Sequence, residues 1–523
     1  MTRVFYIECA GPVWQAVAAN CQALASWEPA LWTAPATNED AIRRAYPKAV
    51  FIAGPDATLG LESPGCTWPL ATLEPALLTA LAPIESIALH MMDRMDLASG
   101  GAFTHDQRRR HYHQLLRYWL GALDALNPEV LVFSISPHVV FDYVLFAVAR
   151  HRGLTTVMFE RLGLPGWVFP IGDFEQGSDT LRHQLEQMPV AKADDLTPIF
   201  QKWFVDSTRG SASVPANFQK KLERYSLEGR AAVPSLTRAV AYELKRAINL
   251  WRKYGFAPMR NSYLRSAHYP HGRAAWGETL RARIRGLLLK RRLTRVHDHR
   301  CSQPIAGQDY VFFALHYQPE RATVPLGGVF GDQLLIVDFL ASALPQGWKL
   351  YVKEHPWQLQ PFGWGEMQRT EAFYDDVLRH PNVILLPRDI DTSDMVKGAR
   401  TAATVTGSVG WEALCSGIPV LLFGAAWYRD CPGVFAMRSI ADAQTAFQKI
   451  ADGYKVDLAG VAAFVHALSQ VCVPGVLEPE LESTGSLSVD SAIPAMAVAL
   501  VQFVASQQYL NGDTGGVTVQ ATT

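Results

Sequence analysis

The stretch T-V-T-G-S-V-G-W-E-A-L-C-S-G-I-P-V-L-L-F-G, Thr404–Gly424, confines this chain to a narrow set of folds. A β-rich run delivers the backbone into Thr406-Gly407-Ser408, a helix begins at once, and a second β-rich run, P-V-L-L-F, follows. Strand, helix and strand in that order form the crossover unit of a parallel sheet flanked by helices. The alternation extends from Asp309 to about Gly475. Strand Y-V-F-F-A-L leads to a helix over about Asp332–Leu344, strand K-L-Y-V-K-E ends at His355-Pro356, and a helix near Glu366–Arg379 precedes N-V-I-L-L. A looser version runs from Met1 to about Phe174, clearest where helix His105–Leu126, strand V-L-V-F-S-I, helix Val139–His151 and strand T-T-V-M-F succeed one another.

These patterns predict an α/β protein with two Rossmann-like domains and a basic helical region between them. The expected boundaries are 1–175, 176–305 and 306–480, with a C-terminal helix and a disordered tail over 481–523. Composition enters at the middle region. The whole chain of 523 residues has a formal charge of −1, which gives no global argument for nucleic acid. Lys220–Arg300, however, holds twenty Lys and Arg against five Asp and Glu. Its segment R-A-R-I-R-G-L-L-L-K-R-R-L-T-R, residues 281–295, mixes leucines with cations as an interfacial helix does, so an anionic membrane surface or a solvated basic face are its two readings. The seven cysteines are scattered without a C-x-x-C spacing and are read as reduced cytosolic thiols. The apolar run Ile493–Ala505 is shorter than the roughly 20 residues of a spanning helix, so membrane attachment is expected to be peripheral, at the inner face.

Three motifs carry chemistry. At Thr406-Gly407-Ser408 a helix N-terminus presents free N–H groups to an anion, with the Ser408 hydroxyl as an added donor and Glu412, one turn on, placed for ribose hydroxyls. An N-cap serine with a solvent-facing glutamate is the plainer reading. In Y-V-K-E-H-P, Lys353 and His355 share one face of a strand end and supply two potential cations for the same phosphate. In A-L-H-Y-Q-P-E-R-A-T, His316 and Glu320, the catalytic candidates together with His355, lie in the loop after the first strand of the later domain, where a carboxylate beside a sugar acts as base or nucleophile, or Glu320 and Arg321 form a surface ion pair. In the first domain, His138, Asp142 and Glu160 fall at or near strand-end loops and are the acceptor-side candidates. Neither HExxH nor an aspartate-rich run nor grouped Cys and His ligands occur, so neither metal nor other cofactor is expected.

In this order the motifs resemble the bacterial capsular polysaccharide biosynthesis family, over about residues 309–430. That family includes retaining β-Kdo transferases, which use CMP-Kdo and have a GT-B-like pair of Rossmann domains facing a cleft. The resemblance implies nucleotide-binding roles for His355, Ser408 and Glu412, with Lys353, Thr406 and Gly407 beside them, and a nucleophile's role for Glu320. The family's loop reads L-Q-x-x-x-D-S-Q, whereas here His316 replaces the first Gln, Glu320 the Asp, and Arg321-Ala322 the Ser-Gln. The expected activity is transfer of a sugar from a CMP-sugar to a glycan or glycolipid acceptor with retention. A UDP-sugar 2-epimerase-like enzyme and a non-catalytic polysaccharide-binding or export-assembly protein are the alternatives.

Overall fold

The computed structural model describes residues 1–60, 68–95, 104–210, 276–360, 363–477 and 489–510, with scattered positions between 237 and 274. The chain forms two compact units: Met1–Ala88, Asp106–Ser178 and Val471–Thr523 make the first, Leu89–His105 and Asp179–Gln470 the second. Much of the basic stretch Lys220–Arg300 and the expected tail over 512–523 lie outside the described residues.

Six strands open the chain: β1 (Thr2–Ile7), β2 (Trp27–Ala34), β3 (Val50–Ala53), β4 (Val130–Phe133), β5 (Thr155–Arg161) and β6 (Trp167–Ile171). A two-stranded hairpin, β7 (Met259–Arg260) and β8 (Arg273–Ala274), belongs to the second unit, as do β9 (Tyr310–Ala314), β10 (Lys349–Lys353), β11 (Val383–Leu385), β12 (Thr401–Thr404), β13 (Val420–Leu422) and β14 (Val434–Ala436). β15 (Val473–Pro474) returns to the first.

The first unit's sheet runs β15-β6-β5-β4-β1-β2-β3, parallel from β5 to β3 and antiparallel at β6 and β15. Strand order reverses between β1 and β4, the switch point of a doubly wound sheet. The second unit's sheet, β11-β10-β9-β12-β13-β14, is parallel throughout, with its switch point between β9 and β12. Strands buried on both faces need continuous apolar runs, and Y-V-F-F and V-L-V-F supply them. Both halves are thus Rossmann-like, as the alternation predicts.

The C-terminal helix Val489–Leu510 is integral to the first unit, where Met496, Ala497, Leu500 and Val504 join the core that holds Trp14, Val17 and Cys21 of helix Gly11–Ala25. Its window Val489–Gln507 is long and apolar enough by composition to cross a membrane, which the shorter count over Ile493–Ala505 missed.

Candidate nucleotide site at the strand ends of the second unit

β12 ends at Thr404, and helix Ser408–Cys415 starts four residues later with Gly407 as its N-cap. No side chain caps this helix and no acid occupies its first turn, so its positive end is not neutralised there. The turn is held from several sides. Thr404 Oγ1 accepts from Gly407 N–H (3.0 Å), Thr406 Oγ1 donates to the Ala322 carbonyl (2.9 Å), and the Tyr428 hydroxyl donates to the Gly407 carbonyl. A Cβ on Gly407 would lie 2.9 Å from Thr404 Oγ1 and 3.0 Å from His316 Nε2, closer than side chains tolerate. Only glycine fits. On the helix's other side Trp203 stacks on Trp411 at 5.1 Å, and Trp411 Nε1 donates to Ser207 Oγ (3.2 Å).

Ser408 is exposed, and its hydroxyl donates to Glu412 Oε1 at 3.1 Å. The two residues are therefore one pair: the carboxylate orients the hydroxyl, leaving its lone pairs outward.

His316 is buried, and its ring belongs to the same turn. Its Nε2 accepts from Thr406 N–H (3.1 Å), which places the ring proton on Nδ1, directed at the Ala314 carbonyl without a fully formed bond. Burial lowers its pKa to about 4, so the imidazole is neutral. The catalytic role expected of His316 gives way to a positioning one: it ties the loop after β9 to the turn after β12.

His355 follows β10 and is half-buried. Its Nδ1 accepts from Trp357 N–H (3.1 Å), which leaves the proton on Nε2 as a donor. Burial, reinforced by His316, drives its pKa down to about 3. The expected pair of cations is thereby corrected, since His355 is a neutral donor. Lys353 is buried and its Nζ donates to Thr392 Oγ1 (3.1 Å), at the start of helix Thr392–Gly398.

Glu320 is exposed in the loop after β9, and its backbone carbonyl accepts from Thr323 N–H and Oγ1, which stiffens the turn below it. The loop rests on a buried polar scaffold that motif reading missed. Arg369 and Glu354, both fully buried, pair at 2.7 Å, and Arg369 also donates to Gln318 Oε1 (3.1 Å). Glu354 further accepts from Tyr374 Oη (2.9 Å) and His355 N–H (2.8 Å). Gln333 and Gln358 complete the frame: Gln333 Oε1 accepts from His316 N–H (2.6 Å) and Gln358 Oε1 from Gln318 N–H (2.9 Å). Strand alternation held the signal for Glu354, because it places that side chain on the opposite face from Lys353 and His355.

The acceptor-side candidates in the first unit fare differently. Asp142 is buried and accepts from His138 N–H and Val139 N–H (3.0 Å each), so it caps helix Val140–His151. His138 Nδ1 lies 3.5 Å from Asp142 Oδ2. Glu160 sits within β5, opposite Phe169 of β6, rather than on a loop.

The basic segment 281–295 lies on helix Trp276–Arg300. Arg281, Arg285, Arg292 and Arg295 are exposed along one face with Leu288 and Leu289, which are 51% and 39% exposed. Other cations turn inward: Lys290 is buried 3.0 Å from Glu366 and donates to the Gly363 carbonyl, and Arg283 lies 3.8 Å over the Trp364 ring. Among the described residues no group of three or more His, Cys, Asp or Glu is placed to hold a metal ion.

Residues 245–467 match the profile of the capsule polysaccharide biosynthesis protein family, which bears out the resemblance read from the motifs. No curated protein matches the chain. Among solved structures, the β-Kdo 2,7 transferase of KpsC from Thermosulfurimonas dismutans aligns over 73% of this chain and 88% of its own at 11% identity and a TM-score of 0.30. UDP-GlcNAc 2-epimerase from Neisseria meningitidis, bound to UDP-GlcNAc, aligns over 97% and 100% at 10% identity and a TM-score of 0.21. Likeness at this level decides nothing; the fold rests on the two sheets themselves.

Proposed function

We propose, from the premise that residues 245–467 belong to the capsule polysaccharide biosynthesis family, that this chain is a glycosyltransferase of capsular or surface polysaccharide assembly. Its donor is a CMP-sugar, carrying Kdo or a related acidic sugar, and its acceptor a glycan or glycolipid. The observation that carries this reading is the set of unspent donors at the ends of β10 and β12: the Nε2–H of His355 and the uncapped end of helix Ser408–Cys415. Donors held in place before the reaction stabilise charge as it develops. Here that charge is the departing cytidine phosphate. Glu412, through its pairing with Ser408, is also in position to accept from ribose hydroxyls.

Glu320 attacks the anomeric carbon in this scheme. Its carboxylate oxygen forms a bond to that carbon as the bond to the phosphate oxygen breaks, and the acceptor hydroxyl then displaces the carboxylate, giving net retention. The exposed face of helix Trp276–Arg300 holds the protein at an anionic membrane surface on the cytoplasmic side, in keeping with free thiols at Cys9, Cys21, Cys301, Cys415, Cys431 and Cys472.

Calorimetry with CMP and UMP, together with CMP release from CMP-sugars, tests the reading. The expected result is CMP binding that weakens about ten- to hundredfold in His355→Ala, which loses a hydrogen bond to a charged group, and less in Ser408→Ala, whose hydroxyl is spent on holding Glu412. Preference for UMP, with interconversion of a UDP-sugar and no acceptor needed, would replace it with the epimerase-like alternative.

A further inference from the structure

The first unit contains a buried carboxyl oxygen that has no hydrogen-bond partner. β1 ends at Ile7, and Glu8 follows with φ of +54°, a left-handed conformation that residues with a Cβ avoid. The strain is fixed in place by Thr33 at the end of β2, whose Oγ1 accepts from Glu8 N–H at 2.8 Å. The side chain is carried over Gly54, just after β3, where a Cβ would lie 3.2 Å from Glu8 Oε1. On the other side, Ser134 of the loop after β4 donates its N–H to the Ile7 carbonyl (3.2 Å). Glu8 thus stands at the C-terminal edge of the central strand, where strand order reverses between β1 and β4. Open α/β sheets bind ligands at such positions.

Carboxyl groups with a structural task in this protein have partners. Asp142 accepts two backbone N–H groups, and Glu354 holds Arg369, Tyr374 and His355 N–H. The Glu8 carboxyl is reached by the Thr33 hydroxyl alone, and its Oε1 is buried with no hydrogen-bond partner. A strained backbone under an unsatisfied buried oxygen opposes folding twice over, and such features persist where they serve a ligand. The environment also indicates what kind of ligand. Burial lifts its pKa to about 7 against the opposing Thr33 hydroxyl, and among the described residues no cation offsets it. A phosphate or carboxylate would meet repulsion there, whereas a neutral hydroxyl can both donate to and accept from a carboxyl that titrates near neutrality.

We propose that Glu8 is the polar anchor of a second ligand site, at the β1/β4 switch point, that takes a neutral hydroxyl-rich ligand of the saccharide class. Given the transferase reading, that ligand is the glycan acceptor. Glu8 is the residue that His138, Asp142 and Glu160 were expected to supply.

The test is oligosaccharide binding by the full chain, using an array of neutral bacterial-type oligosaccharides, with CMP calorimetry and thermal unfolding run in parallel. Glu8→Ala and Glu8→Gln should lose at least about tenfold in oligosaccharide affinity while binding CMP like the parent. Glu8→Gly, which removes both the strain and the buried oxygen, should raise Tm by about 2–4 °C while losing saccharide binding. The proposal is overturned if the parent binds no oligosaccharide, if the Glu8 variants bind as the parent does, or if Glu8→Gln lowers Tm by several degrees and so marks a structural group. A parent that binds oligosaccharide but not CMP would instead sink the transferase reading and leave the Glu8 site standing.

Discussion

Replacing Arg369 with Met should cost the second unit about 3–5 kcal/mol, the range for removing one partner of a buried ion pair. The figure follows from what would be left behind. Glu354 would keep Tyr374 Oη and His355 N–H as donors but lose both guanidinium contacts, at 2.7 and 3.1 Å, while remaining fully buried. Gln318 Oε1 and the Gln368 carbonyl would each lose a donor as well. The pH dependence carries a sign. In the parent, burial raises the Glu354 carboxyl but Arg369, aided by His297 and Tyr374, outweighs it and holds the carboxyl below its ordinary range, so the pair contributes stability above the unfolded carboxyl's pKa and loses it as pH falls through the folded one. In Arg369→Met burial is opposed only by Tyr374 and His297, so that carboxyl rises and the variant's deficit should grow from pH 5 to pH 7.5. Urea titrations at both pH values, followed by tryptophan fluorescence, measure it. Glu354→Leu/Arg369→Met should lose less than the sum of the single variants, since no lone charge remains. A cost below about 1 kcal/mol for Arg369→Met, or strict additivity in the cycle, would refute the claim that this pair supports the loop.

Acid should weaken the same unit through His316 and His355, whose folded pKa values of about 4 and 3 lie below the unfolded value of about 6.5. The unfolded chain binds more protons in that window, so stability should fall as pH drops below 6.5, by up to about 1.4 kcal/mol per pH unit for each ring, and a urea midpoint flat from pH 7 to 5 would contradict it. For Glu320, Glu320→Gln should abolish transfer with CMP affinity nearly unchanged, because an amide is a poor nucleophile, and an active variant would remove the double displacement. On helix Trp276–Arg300, replacing the exposed Leu288 and Leu289 with Ser should reduce co-flotation with anionic liposomes, and equal recovery on neutral and anionic vesicles would leave only a solvated face.

The features legible in the sequence were those carried by local periodicity. Runs such as Y-V-F-F-A and V-L-V-F cannot satisfy buried backbone except as strands between covering layers, and Gly407 between a strand and a helix has one plausible use. Pairings made by the fold were not legible. Arg369 stands fifteen residues from Glu354 and reads as an ordinary surface arginine until both prove buried. Glu8 reads as a break in an apolar run; its left-handed φ and its place over Gly54 exist only once β1, β2 and β3 are side by side. Asp142 could have been recognised, since an acid three residues after a helix's N-cap characteristically reaches back to backbone N–H groups. Polarity and a place near a strand end do not by themselves separate a cap from a ligand.

The two histidines and Lys353 also change how the nucleotide site is expected to hold charge. A site built on full cations binds phosphate tightly in dilute buffer and loses affinity as salt screens it. Here His316 and His355 are neutral and Lys353 donates to Thr392, which leaves the end of helix Ser408–Cys415, equivalent to roughly half a charge, and oriented neutral donors. Hydrogen bonds of fixed geometry in a partly buried site are screened much less than exposed ion pairs. CMP affinity should therefore change by less than about threefold between roughly 0.05 and 0.5 M NaCl, whereas liposome binding through Arg281, Arg285, Arg292 and Arg295 should fall steeply over the same range. Calorimetry across a salt series reads the first and flotation the second. A steep salt dependence of CMP affinity would mean that a full cation reaches the phosphate, and the division of labour between neutral donors at the strand ends and arginines on the basic helix would be wrong.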